Sequence, residues 1–293
     1  MTATSGKLLL LLLLAGGLAQ APAQDPPKQN STAWPELAKK DEPKVTLLLR
    51  RVETGSEEEA ATSIRELCGF GPAIVPTLLR KLALPRQSRT LVDGMLSVLD
   101  TVVKPEHADL VAKALDDRSQ STRRWAVLWL ALHLDEKWRP LFERFATPPE
   151  SQKPKDPPDP EMVFLSNLGL AALKDTDALA RVMTVCHTEW LERGGIVGRV
   201  LPVARSQQMA RFVIDTMHPD DERSRVTGLR MMRYLAPKEF AAAVAVYLDA
   251  GEFSVKKEAI NALRVIVDGA QPLEELSSFT GIEMAKKWKE RIK

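Results

Sequence analysis

From residue 45 to the C-terminus, apolar side chains return every three or four positions, and no stretch alternates with period 2. This pattern predicts helix after helix and no strand. It is clearest from Ser56 to Leu84. Ser56 followed by Glu59 is a capping box, in which each side chain satisfies the other residue's backbone N–H. Ala60, Ile64, Leu67 and Cys68 then form one helical stripe. Gly69 and Gly71 break that helix. Pro72 suits the first turn of the next, where its missing N–H costs nothing. Ile74, Val75, Leu78, Leu79 and Leu82 line the second helix.

Six further pairs follow. The second runs from Arg89 to Leu115 with Pro105 at its corner, and the third from Ser121 to Phe145. Residues 147–160 (TPPESQKPKDPPDP) hold six prolines, which predicts an exposed loop of polyproline II character. The fourth pair begins at Glu161 and has a cap at Asp175-Thr176-Asp177. The fifth starts at Gly194-Gly195-Ile196-Val197-Gly198, read as a permissive turn. The sixth spans Asp220 to Leu248 with Pro237 at its corner, and the seventh begins near Ser254 with Pro272. Val45 to Glu53 predicts a short helix over the open end of the stack. A charged helix at 281–293, carrying Trp288, predicts a polar cap at the other end.

The spacing can be checked. The last apolar or small residues of the seven first helices are Leu67, Leu99, Leu134, Leu173, Ala204, Leu235 and Val267. The gaps are 32, 35, 39, 31, 31 and 32, the longest containing the proline loop. The expected fold is therefore all-α with no sheet: a right-handed α-solenoid of about seven helix pairs over residues 45–293.

The corner Gly69-Phe70-Gly71-Pro72, followed by Ile74-Val75-Pro76-Thr77-Leu78-Leu79, resembles that of HEAT repeats, as do the corner prolines Pro105, Pro237 and Pro272. The resemblance covers about residues 45 to 280. It implies a curved stack whose second helices line a concave side used to bind partners. Armadillo-type solenoids share the general pattern. HEAT-like scaffolds also include phycobilin lyases and alkylpurine DNA glycosylases, so the alternatives are an enzyme or cofactor-handling protein on the same scaffold, or a self-associating structural module.

The N-terminus changes the picture of where such a stack works. Lys7, an apolar run from Leu8 to Ala19, and Ala21-Pro22-Ala23 read as a signal peptide over 1–23, cleaved after Ala23. The twelve-residue run is short of the roughly 20 residues needed to cross a bilayer. No later apolar run is long enough to span. The expected location is exported, periplasmic or secreted. Residues 24–44 read as a disordered leader, with Asn30-Ser31-Thr32 matching the N-glycosylation pattern. A net charge of +2 gives no electrostatic case for nucleic acid.

The search for chemistry finds no catalytic, cofactor-binding or metal-binding signature. Neither HExxH nor CxxC occurs, and the 194–198 glycines lack both a preceding strand and a P-loop lysine. Cys186 and His187 are adjacent, so on a helix they point about 100° apart. His133 with Asp135 and Glu136 is a cluster or a solvated helix end. Trp125 and Trp129 lie four apart on one face. Exposed, they would be a binding hot spot; buried, they are core. Arg225, Arg230 and Arg233, with Arg223, would hold an anionic ligand or be balanced by Asp220, Asp221 and Glu222 in their own first turn. The reading that emerges is a non-catalytic scaffold for protein or peptide partners. Cys68 and Cys186 belong to the first and fourth pairs, about 30 Å apart at ordinary helix packing distances, too far to bridge. The native mass should therefore equal that of the reduced chain. A loss of two hydrogens would refute the register.

Overall fold

The computed structural model describes residues 33–146 and 159–292. The expected signal peptide 1–23, the expected leader as far as Thr32 and residues 147–158 of the expected proline loop lie outside the described residues. Among the described residues there are fourteen α-helices and no strand. They are α1 (Glu42–Thr54), α2 (Glu57–Cys68), α3 (Val75–Leu82), α4 (Arg89–Val102), α5 (Ala108–Lys113), α6 (Gln120–Leu132) and α7 (Arg139–Ala146). After the loop come α8 (Pro160–Ala172), α9 (Thr176–Val200), α10 (Gln207–Thr216), α11 (Glu222–Leu235), α12 (Ala241–Ala245), α13 (Phe253–Asp268) and α14 (Ser278–Arg291).

Local chemistry sets these boundaries. The Ser56 hydroxyl accepts from Glu59 N–H at 3.3 Å, and the Glu59 carboxylate accepts from Ser56 N–H at 2.9 Å, completing the box at α2. Ser88, Ser119, Asp159, Asp175, Ser206, Asp221 and Ser277 cap α4, α6, α8, α9, α10, α11 and α14 in the same way, each taking an otherwise unpaired N–H. Short 3₁₀ turns lead into α3, α5, α7 and α12, and proline sits at the corner in three of these cases: Pro72, Pro105 and Pro237.

The packing follows chain order. α2 packs on α1 and α4, α6 on α5 and α8, α8 on α7 and α9, α11 on α9, α10 and α13, and α13 on α12 and α14. A continuous apolar core runs from Val45 to Trp288. Polar bonds cross its seams at a regular sequence interval. Arg124–Asp159, Arg193–Glu161, Arg225–Glu252 and Arg230–Glu258 are separated by 35, 32, 27 and 28 residues.

Three sequence expectations change. The described part of the leader is held: Trp34 lies against His107 with ring centroids 5.4 Å apart, Leu37 packs on the core, and helix starts at Glu42. The terminal helix starts at Ser278 rather than 281. It buries Trp288 but leaves Phe279 72% exposed, so its outer face is not purely polar. The glycine group is not a turn. α9 runs through it to Val200, and its one non-helical residue is Glu189 (φ −110°, ψ 27°). The glycines serve close approach instead. A Cβ on Gly194 would meet the Trp190 ring at 2.8 Å, and one on Gly198 would meet the Tyr234 hydroxyl at 2.9 Å. Both thiols are free: Cys68 is half-buried, and Cys186 is buried, which pushes its pKa up to about 12.

Gly195 and Gly169 give opposite expectations. A Cβ at Gly195 meets nothing within 4 Å, so Gly195→Ala should stabilise α9 by about 0.5–1 kcal/mol, because alanine orders more cheaply in a helix. A Cβ at Gly169 meets the buried Phe142 ring at 2.8 Å, so Gly169→Ala should cost about 1–3 kcal/mol through overpacking. Urea titrations of both variants check this. A destabilised Gly195→Ala would restore the turn reading.

Candidate partner-binding surface

Ser121, Trp125 and Leu128 recur at three- and four-residue steps on α6, so they share one face. Val92 and Leu96 do the same on α4. These two faces, with Leu82 at the end of α3, Leu84 just beyond it and Leu165 from α8, enclose an open slot of about 460 Å³. Its floor and walls are apolar. Its rim carries Arg86, Gln87, Arg124 and Glu161. Two of these rim charges are already answered. Arg124 forms a two-pronged bond to Asp159 at 2.7 and 2.8 Å, and Glu161 pairs with Arg193. Burial alone would raise the Asp159 carboxyl, but the Arg124 fork and hydrogen bonds from Gln120 and from Glu161 N–H together hold the group below the ordinary carboxylate value. Leu84 is 52% exposed at the mouth, and Arg86 beside it holds a left-handed backbone (φ 61°).

The sequence-derived candidates fall in two places. Trp125 and Trp129 are 3% and 1% exposed, so they are core rather than an exposed hot spot. Burial of the apolar stripe on α6 draws them in. Trp125 still forms one wall of the slot, while Trp129 stacks on His133 at 3.9 Å between ring centroids. Both indole N–H groups are buried without an acceptor.

The arginines join α11 to α13. Arg225 donates to Glu252 at 3.0 Å and Arg230 to Glu258 at 3.1 Å, while Arg233 pairs with the other oxygen of Glu258. Arg230 also lies over the Trp190 ring, 5.0 Å from its centroid. Their balancing acids therefore stand on the next helix or just before it, not in the first turn of α11. Burial draws Arg233 down to about 10 and lowers Arg230, yet both stay charged at neutral pH. Two guanidinium groups thus share one carboxylate that is only 7% exposed.

The other sequence candidates separate. The His133 ring nitrogen Nδ1 meets the Trp129 carbonyl at 3.0 Å, Asp135 accepts from Lys137 N–H, and Glu136 pairs with Arg139. Among the described residues no group of three or more His, Cys, Asp or Glu side chains is placed to hold a metal ion. No described helix is long and apolar enough to cross a membrane. The slot has no local sequence signature, because its walls come from four helices.

Removing Glu258 should be costly. Glu258→Ala leaves Arg230 and Arg233 facing one another at a largely buried seam, with an expected loss of about 3–5 kcal/mol. Glu252→Ala breaks a pair whose acid is 40% exposed and should cost under about 1 kcal/mol. Equal losses in denaturant titrations would contradict this division between buried and rim pairs.

No family model and no curated protein matches this chain.

Proposed function

We propose that this chain is an exported, HEAT-like α-solenoid of about seven helix pairs that holds protein or peptide partners and performs no chemistry of its own. The observation that carries the stacked reading is the interval of the seam bonds. Arg124–Asp159, Arg193–Glu161, Arg225–Glu252 and Arg230–Glu258 join residues 27 to 35 positions apart. The apolar stripes recur every 31 to 39 residues, and a bond between neighbouring units spans roughly one such interval, give or take a helical turn. The kink at Glu189 supports the same reading, since it lets α9 serve as the second helix of the fourth pair and the first helix of the fifth. Export rests on the signal-like segment 1–23.

The slot between α4 and α6 supports partner binding. It is apolar, open, and large enough for one or two partner side chains, with a polar rim to orient a peptide backbone. Leu84 at its mouth is exposed, so Leu84→Glu should leave the fold intact while placing a charge where an apolar side chain would enter. The mature chain, immobilised, is exposed to a random-peptide phage library and to the native envelope fraction. Enrichment of apolar-anchored peptides that falls at least about tenfold on Leu84→Glu is expected, the size of one lost apolar anchor. No enrichment over bare support in either arm would overturn the proposal. Turnover of a substrate class by the purified chain would favour the enzyme alternative.

A further inference from the structure

The slot has a neighbour. Across Leu84 lies a second open depression of about 690 Å³, walled by α1 and α3. Leu49 and Leu91, both buried, give it an apolar lining. Leu84 lines both depressions, so the two meet at that side chain. Thr77, Arg80, Lys81 and Leu84 recur at three- and four-residue steps, and all four line the second depression. The α3 wall is thus cationic up to the apolar residue at the junction.

These cations are unanswered. Arg80 Nε donates to the Pro76 carbonyl and its Nη2 to the Thr77 hydroxyl, both at 3.3 Å, so the guanidinium is held along its own helix. Among the described residues, no carboxylate pairs with Arg80, with Lys81, or with Arg86 on the slot rim. Arg124 and Glu161 on the same rim differ, since each already has its own partner. The acids of the second depression, Glu42 and Glu53, stand on the α1 wall.

We infer that the peptide partner carries an acidic residue beside its apolar anchor, and that Arg80 and Lys81 select it. The anchor fills the slot, and the chain crosses Leu84 to set its carboxylate against the α3 wall. This rests on the binding reading above and names the partner's chemistry. Arg80 keeps its Nη1 donors for that carboxylate, and a guanidinium already held loses less freedom when the carboxylate arrives. A basic residue at the same place would face Arg80, Lys81 and Arg86 together. Both depressions touch Leu84, so the two partner residues should lie about two to four positions apart in an extended peptide, at roughly 3.3 Å per residue.

Two random-peptide phage sublibraries, one lacking Asp and Glu and the other lacking Lys and Arg, are panned on the immobilised mature chain. The second should be enriched at least about tenfold over the first, the size of one charge-assisted hydrogen bond. A selected peptide, synthesised with a fluorophore, is then titrated by anisotropy. Its Kd should rise at least about tenfold on Arg80→Gln combined with Lys81→Gln. Raising the salt from about 0.1 M to about 1 M shortens the screening length from about 10 Å to about 3 Å, so it should weaken binding to the parent and not to that double variant. Panning on Arg80→Glu with Lys81→Glu should select basic residues in place of acidic ones. Arg80 is exposed and Lys81 half-buried, so the melting temperature should hold in each variant. Equal enrichment from the two sublibraries, or a Kd unmoved by the double variant, would overturn this inference and leave slot binding standing. No enrichment from either sublibrary would overturn the binding reading, and this inference with it.

Discussion

No helix in this chain can bury its apolar stripe alone, and the rest of the structure follows from that constraint. α5 has six residues and α12 has five, far below the roughly 12–15 at which an isolated helix becomes marginal in water. Each is stable only because it lies against a neighbour. Magnitudes then separate two jobs. A buried Leu or Val contributes about 1.5–3 kcal/mol, whereas an exposed ion pair contributes about 0.2–1 kcal/mol. Leu99, Leu168, Val213 and Leu263, all at 0% exposure, therefore set how stable the stack is. The seam bonds set which residue faces which. Glu258 is the point where the two jobs merge, because its carboxylate is buried and cannot be left or removed cheaply.

Much of the helical order was legible because it is local. Ser56 and Glu59 meet across three residues, and their hydrogen bonds are the ones a capping box demands. Pro72, Pro105 and Pro237 mark corners because proline tolerates few other places in a helical chain. The glycines at 194–198 misled for a physical reason. Glycine permits a turn, but it also permits close packing inside a helix, and the sequence shows only the missing side chain. What decides between the two is Tyr234, 36 residues past Gly198, and Trp190 one turn before Gly194. The first of these is a tertiary neighbour that no local pattern reveals.

The site was legible in proportion to distance along the chain. The arginines of α11 stood out as a cluster, yet their acids were sought in the same first turn when they lie about one period ahead, at Glu252 and Glu258. Knowing the period makes such pairs findable. Asp100 and Arg199 are different: they pair across 99 residues, at 3.5 Å. Their meeting depends on how all the helices between them pack, and that is set by many tertiary contacts at once. Nothing in residues 100 or 199 encodes that packing.

α6 ties these features together. Trp125 and Leu128 face the slot, while Trp129 stacks on His133 at the C-terminal end of the helix, so successive turns of one helix do both jobs. Each tryptophan also carries a buried N–H with no acceptor, a cost of about 1–3 kcal/mol apiece. That cost is met by the large apolar area the rings bury, and turning either ring would lose that packing. α6 should then shift as a rigid rod rather than by local rearrangement. A side chain wedged into the slot would press on the same helix that carries His133 at its C-terminal end. Linkage is reciprocal, so any occupant that prefers one position of α6 must favour that position, and any change that favours the same position must raise the affinity for that occupant by the same factor.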